Sequence, residues 1–587
     1  MEAAFVIGLT LAVFAGLVFT RQSPDRILMV ALTLLALSGV IDNRALLSGF
    51  ANPGLFTVAL LYVIAAGVRH TGGVGWLSSR VLGQPRSELG AHLRLMLPVT
   101  LMSGFMNNTP IVATLIPAVG SWSRQTGIAV SKLLIPLSYA AILGGTLTLI
   151  GTSTNLVTIG LYEELNGESG FNLFTITPIG LVVASAGLIY MVLIGRHLLP
   201  DHQRVDEAFG DPREYSVEML VTADGGLAGK TVEQAGLRNI RGMGLYLVEI
   251  VRDDGILTAV SSEEKLQAED RLVFVGDTRG VLELQQIPGL TPHVVGQSAL
   301  AQASPERKLV EVVLSPSSPI IGLSIGDADF RKRYGAVVIA VARDGKRIQG
   351  HLGRIRLQPA DTLLLEARPA FVTRQRYNRD FLLVTDTDAN QLNRPKARIA
   401  GAIVVAVVAV AATGAMDIMT AALSGAMAMV LTRCISFSQA KSSLDFQVLL
   451  TIACAMALGV AIRDSGAADL IAGAVFSIAG QEPLSLLIAA YLLTMVMSEL
   501  ITNNAAAALA LPIVLGAAEA AGLPAAPFLL VVMIAASAAF ATPLGYQTNL
   551  MVYGPGGYSV RDFLKVGLPL NLVCAVAGIS AIYVLWL

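Results

Sequence analysis

Charge is scarce in this 587-residue sequence: Asp, Glu, Lys and Arg together make up 14% of it, against 54% hydrophobic residues. An average soluble domain carries about 25% charged residues, so a single soluble core is excluded. The charges nearly cancel, to a formal −1, and no basic block or tail occurs, which argues against a nucleic-acid partner. Cysteine is also rare. Cys434, Cys454 and Cys574 lie in or beside apolar segments without paired spacing, so they read as helix-packing residues and not as a disulfide or metal site. The six histidines, at 70, 92, 197, 202, 293 and 351, avoid every polar motif described below, and no nucleophile–base constellation is visible. The expectation is a protein that is not an enzyme. The first apolar run lacks the basic segment and the small-residue cleavage site of a signal peptide, and reads as a retained span.

Long apolar runs are abundant. Runs of about 17–25 residues can cross a ~30 Å hydrocarbon layer, and candidates include 3–20, 27–42, 52–68, 175–195, 399–415 and 566–587. They fall into two apolar blocks, 1–199 and 398–587, separated by a charged block. In the first block a stretch at 92–119 is interrupted by Asn107-Asn108-Thr109-Pro110, which reads as a re-entrant hairpin. A helix from 132 to 150 breaks at 151–155 and resumes to 163. The second block repeats this order, with spans at 399–415, 416–432 and 446–462, a hairpin at 485–515 broken at Thr502-Asn503-Asn504, a helix broken at 545–549 and a last span. Amphipathic pieces are expected near 74–85 and 465–478. The predicted fold class is therefore an all-α polytopic membrane protein of two inverted repeats, each with five transmembrane helices and one re-entrant hairpin, because an odd number of crossings inverts the second block. With the N-terminus outside, most Lys and Arg flanking the spans fall on the cytoplasmic side, Arg463 being the main exception. The expected location is the cell membrane, specifically a bacterial inner membrane.

The two blocks carry the same polar signatures. Gly151-Thr152-Ser153-Thr154-Asn155-Leu156 returns as Gly545-Tyr546-Gln547-Thr548-Asn549-Leu550, an offset of 394, and the segment from Ser103 to Thr109 returns from Ser498 to Asn504, an offset of 395. Gly-interrupted polar elements at matched positions of two hydrophobic halves point to a transporter's midplane site. The charged block repeats too: Arg252 and Asp270 recur as Arg343 and Asp361, an offset of 91. Short Val/Ile/Leu-rich strands there predict a cytosolic α+β insert of two similar modules, 213–290 and 306–375. Neither shows the GxGxxG of a dinucleotide-binding fold.

The hairpin tips, the broken-helix Thr-Asn motifs and the two blocks together resemble the divalent anion/sodium symporter family, within the wider ion-transporter superfamily, over 1–199 and 398–587. That family's tips carry Ser-Asn-Thr; here the triplets are Asn107-Asn108-Thr109 and Thr502-Asn503-Asn504. The middle block resembles a tandem pair of TrkA-C type regulatory modules of potassium-uptake and potassium-channel gating proteins. The resemblance implies a homodimer, sodium as coupling ion, sulfate ahead of a C4-dicarboxylate as substrate, and a small effector, a nucleotide for instance, at the modules.

A divalent anion at the membrane midplane needs local charge compensation, and neither tip contains Lys or Arg. Compensation must then come from bound cations and helix N-termini. Sodium takes oxygen ligands. One site is expected from Ser103, Asn108, Thr152 and the Gly151 region, and a second from Ser498, Asn503, Thr542 and the Gly545 region. Asn107, Thr109, Thr154, Thr502, Asn504 and Thr548 are expected to face the anion, with Asn108, Asn155, Asn503 and Asn549 beside it. Glu499, the one carboxylate at a tip, reads either as a surface or helix-pairing residue or as a group that titrates during transport. The latter would suit a cation/proton antiporter of the same superfamily. A channel gated by the middle block is a third class, against which stands the absence of a selectivity-filter sequence.

Overall fold

The computed structural model describes the chain outside residues 1, 21, 73–81, 84, 86, 168–169, 202–215, 238, 241–244, 253–254, 259, 277–283, 285–286, 293–307, 317, 344–345, 349–351, 369, 376–377, 379, 386–393, 469, 472, 474–479 and 481. The first apolar block folds into helices α1 (Glu2–Phe19), α2 (Pro24–Ser38), α3 (Asn43–Ser48), α4 (Pro53–His70), α5 (Glu88–Ser103), α6 (Asn108–Thr126), α7 (Leu134–Gly145), α8 (Ser153–Asn166) and α9 (Thr177–Tyr190), the last continuing through a π turn at Met191–Gly195. The middle block holds strands β1 (Ser216–Val221), β2 (Asn239–Ile240), β3 (Leu245–Arg252), β4 (Gly255–Thr258), β5 (Arg271–Gly276), β6 (Leu290–Pro292), β7 (Lys308–Leu314), β8 (Ala336–Arg343), β9 (Lys346–Arg347), β10 (Thr362–Ala367) and β11 (Phe381–Thr385), with short helices α10 (Phe330–Tyr334) and α11 (Ala370–Gln375). The second apolar block gives α12 (Arg394–Ala412), α13 (Ile418–Leu431), α14 (Phe437–Ser443), α15 (Phe446–Asp464), α16 (Pro483–Leu500), α17 (Asn503–Ala520), α18 (Ala525–Ser537), α19 (Gln547–Tyr553) and α20 (Val560–Trp586).

The chain divides into two compact units, Met1–Asp201 with Asn390–Val552 and Val560–Leu587, and His202–Ala389 with Tyr553–Ser559. In the helical unit, starts are set by local chemistry. Proline occupies the first turn of α2, α4, α9 and α16, where its missing N–H costs nothing. Asp42 accepts from Ala45 N at 2.7 Å to start α3, and Ser436 with Gln439 forms a capping box that starts α14. Every residue of α7 is buried, as is α18 from Pro527 to Ser537. A helix that is apolar all round belongs in the interior, and these two are the broken helices. Among the described residues seven helical stretches are long and apolar enough to cross a membrane.

The element boundaries correct several expectations. The first hairpin breaks at residues 104–107, not 107–110, because Pro110 falls in the first turn of α6, where proline is tolerated. The second hairpin is longer than expected, two helices of 18 residues over 483–520, and breaks at 501–502, beside the expected Thr502-Asn503-Asn504. Helix α7 ends at Gly145, six residues before the expected break, and α18 ends at Ser537, before the expected break at 545–549. The short helices α3 and α14 had no place in the expectation. The amphipathic piece near 74–85 lies largely outside the described residues, as does half of the one near 465–478.

The other unit is two antiparallel sheets. The first has order β2-β3-β5-β1-β6, with β4 on β3, and the second has order β11-β7-β10-β8-β9. Shifted by 91 residues, β3, β5 and β6 fall on β8, β10 and β11, and each sheet keeps the same neighbours. Arg252 chelates the buried Asp270 at 2.7 and 3.1 Å, and Arg343 chelates the buried Asp361 at 2.7 and 2.8 Å. The Asp270 carboxylate holds the Arg252 pKa above its ordinary value.

Candidate functional site

Two unwound segments, 146–152 between α7 and α8 and 538–546 between α18 and α19, lie against the two tips where α5 meets α6 and α16 meets α17. Their shape is fixed from the following helix. Asn155, buried at the start of α8, donates from Nδ2 to Gly145 O at 3.3 Å and Thr148 O at 3.0 Å. Asn549 in α19 donates to Ala539 O at 2.9 Å and Thr542 O at 3.2 Å. In both cases the carbonyls lie ten and seven residues upstream, so each asparagine consumes acceptors that an α-helix would have used. The hydroxyls of Thr148 and Thr542 then tie each segment to its tip, through Gly104 O and Glu499 O. The approach is too close for a side chain: a Cβ on Gly151 would stand 2.7 Å from Gly145 O and 2.9 Å from Ser103 O, and one on Gly545 would stand 2.8 Å from Ser498 O.

The segments also cross between blocks. Asn108 of the first tip contacts the Tyr546 hydroxyl at 2.7 Å, and Thr152 Oγ1 lies 3.0 Å from the same hydroxyl. Thr109 Oγ1 donates to Gln547 Oε1 at 3.1 Å. On the other side Thr154 donates to Asn504 Oδ1 at 3.0 Å, accepts from Asn503 Nδ2 at 2.8 Å, and is joined by Ser153 at 3.3 Å from Asn504 Oδ1. Ser138 of α7 donates to Asn549 Oδ1 at 2.7 Å and lies 2.9 Å from the Thr548 hydroxyl. All four motifs thus meet in one place.

The environment of Asn108 is rich in oxygen. One atom of its amide lies 2.5 Å from Ser103 Oγ, 3.1 Å from Ala141 O and 3.3 Å from Gly151 O, while the other faces Tyr546. With nitrogen in the first position, the amide donates into this ring; with oxygen there, Ser103 Oγ donates to it and the carbonyls of Ala141 and Gly151 lie close by. The second tip is arranged differently, since Ser498 Oγ donates to Ala536 O at 2.6 Å and Asn503 turns to Thr154.

Glu499 holds its own segment in place. Its carboxylate accepts from Ala541 N at 2.7 Å, Thr542 N at 2.8 Å and Asn571 Nδ2 at 2.7 Å. The first tip has Gly104 at this position and no charge.

Of the residues singled out in the sequence, Ser103, Asn108, Gly151, Thr152, Thr154, Asn155, Ser498, Asn504, Gly545, Thr548 and Asn549 are buried. Asn107, Thr109, Asn503 and Thr542 are half-buried, and Thr502 is exposed. Helices α6, α8 and α17 begin here, and their N-cap residues Asn107, Thr152 and Thr502 make no side-chain cap bond, so the positive ends of three helices meet the polar cluster. Sequence reading paired Thr542 with Thr152, whereas the matching bond is made by Thr148. It passed over Tyr546, Gln547, Ser153 and Ser138. The alignment of 151–156 with 545–550 held a signal, since it sets Tyr546 opposite Thr152 and Gln547 opposite Ser153.

A polar centre without Lys or Arg, at helix breaks inside an apolar, multi-span bundle, defines a membrane transport protein. Residues 14–450 and 408–587 match the family described as Citrate transporter. The chain is 38% identical to a Chlamydomonas reinhardtii protein provisionally described as a sulfur deprivation response regulator, over 94% of this chain and 96% of that one. It is 34% identical to an uncharacterized transporter of Synechocystis, over 98% and 96%, and 27% identical to sodium/sulfate cotransporter 1 of Chlamydomonas reinhardtii, over 98% and 90%. The chain belongs to the citrate transporter family and is a multi-pass membrane transporter.

Proposed function

We propose that this transporter couples sodium to the uptake of a small divalent anion, sulfate ahead of C4-dicarboxylates, by exposing the motif centre alternately to the two sides of the membrane. The observation that carries the reading is that the four motifs meet without a single Lys or Arg. A doubly negative anion there needs partners of opposite charge, and the available ones are helix N-termini and cations held by oxygen. The oxygen ring at Asn108, with Ser103, Ala141 and Gly151, fits sodium and is the first-half site; Ser498, Asn503 and Thr542 serve the second. Asn107 and Thr502, whose side chains make no cap bond, and Thr109, which reaches Gln547, are the anion's contacts. A relative named as a sodium/sulfate cotransporter supports the choice of ion and anion.

Inverted repeats account for alternation. The matched carbonyl bonds of Asn155 and Asn549 support that relation. The middle block acts as a cytosolic TrkA-C type pair that tunes transport, supported by the shared strand order and the repeated Arg–Asp chelates. The test is uptake of labelled sulfate by proteoliposomes under an inward sodium gradient. Uptake should collapse without sodium, and Asn108→Ala or Asn503→Ala should each reduce it to background. Undiminished uptake in sodium-free medium, or in either variant, would overturn the coupling; faster uptake of succinate than of sulfate would replace the anion.

A further inference from the structure

We infer that Tyr546 and Gln547 set the size of the anion, restricting the centre to compact oxyanions and excluding extended dicarboxylates; this rests on the transport reading above. Tyr546 occupies the position matched to Thr152, and its hydroxyl meets Thr152 itself at 3.0 Å. Two residues related by a repeat can touch only near the axis that relates the repeats. The tyrosine ring therefore stands at the middle of the assembly, where an anion shared between the two tips has to bind.

Gln547, matched to Ser153, extends the same obstruction. Its amide reaches Thr109 of the opposite tip at 3.1 Å and remains exposed, so it spans the gap between the second unwound segment and the first tip. On the other side of the centre the crossing is made by the small residues Ser153 and Thr154 to Asn504. The centre is narrowed from one side only, by two large side chains where the other half has two small ones. A tetrahedral oxyanion presents its acceptors around one atom and tolerates the narrowing. A four-carbon dicarboxylate has to place two carboxylates at the ends of a chain, and the ring and amide occupy that length.

Restoring the residues of the first half tests this. In sodium-driven sulfate uptake by the full-length transporter in liposomes, succinate should compete poorly with wild type. The double variant Tyr546→Thr/Gln547→Ser should be inhibited by succinate at a concentration lower by at least about tenfold, the low end of what a change of pocket shape confers. Tyr546→Phe keeps the bulk and loses the hydroxyl, so it should still exclude succinate while requiring more sodium, because Asn108 loses a partner. If the double variant does not fold, Gln547→Ser alone should show part of the gain. The inference is overturned if a folded double variant, or Gln547→Ser in its place, excludes succinate as wild type does, or if Tyr546→Phe already admits it. It is also overturned if wild type prefers succinate under sodium drive, and there the coupling reading survives. Uptake of neither anion with sodium overturns both.

Discussion

Glu499 is the one charged residue in the four motif segments, and its bonds explain why a charge is kept there. Three N–H donors in a largely buried segment converge on its carboxylate, two of them backbone groups of a stretch with no helical partners. Hydrogen bonds to a charged group contribute about 1.5–3 kcal/mol, and a buried donor left unpaired costs about 1–3 kcal/mol. Glu499→Ala should therefore lower the thermal midpoint of the detergent-purified protein and abolish uptake, with Glu499→Gln intermediate because an amide offers one acceptor oxygen. A Glu499→Ala protein that melts with wild type would show that the segment holds its shape unaided. The same bonds bear on the antiporter alternative: a carboxylate that already accepts three donors is a fastener first. Asn571, on α20, is drawn into the same fastening, since its Oδ1 also accepts from Phe540 N at 3.2 Å.

At the level of elements, apolar length was legible in the sequence, and the spans stand within a few residues of where hydrophobicity sets them. The breaks were less so. Gly and Asn mark them, but where a helix stops is decided by which carbonyls are claimed from elsewhere, and Asn155 claims those of Gly145 and Thr148, unwinding the chain before the motif begins. The repetition of the polar motifs was visible on the page of residues. The cross-links Thr109 to Gln547 and Asn108 to Tyr546, between residues 438 apart, were not, because no local pattern encodes a partner in the other half. In the sheet unit the repeated arginine and aspartate were visible as residues, and the chelate is what the fold adds. Removing one member of such a pair leaves a buried charge without its partner, which costs about 3–5 kcal/mol when burial is complete. Arg343 is 28% exposed and Asp361 is 0% exposed, so the lower end applies. Arg343→Ala should accelerate hydrogen exchange in β8 and β10 relative to wild type, read by mass spectrometry. Unchanged exchange in both strands would mean that the sheet core alone holds them.

For the whole molecule, orientation follows from charge outside the spans. Lys and Arg accumulate on the side that stays in the cytoplasm, and the proposed layout, five crossings in the first block with an external N-terminus, puts the middle block inside the cell. Among the described residues the native thiols are no obstacle to testing this, because Cys434, Cys454 and Cys574 are all buried. Ser261, by contrast, is exposed and lies in the turn between β4 and β5, outside any strand. A Ser261→Cys variant should thus react with a membrane-impermeant maleimide only where its own side of the membrane is open to the reagent. Intact cells should leave it unlabelled and permeabilised cells should label it, while the wild-type protein stays near background in both. Strong labelling of intact cells would put the middle block outside, invert every assignment of sidedness made from the charges, and leave the two Arg–Asp-braced sheets facing a compartment where a cytosolic effector cannot reach them.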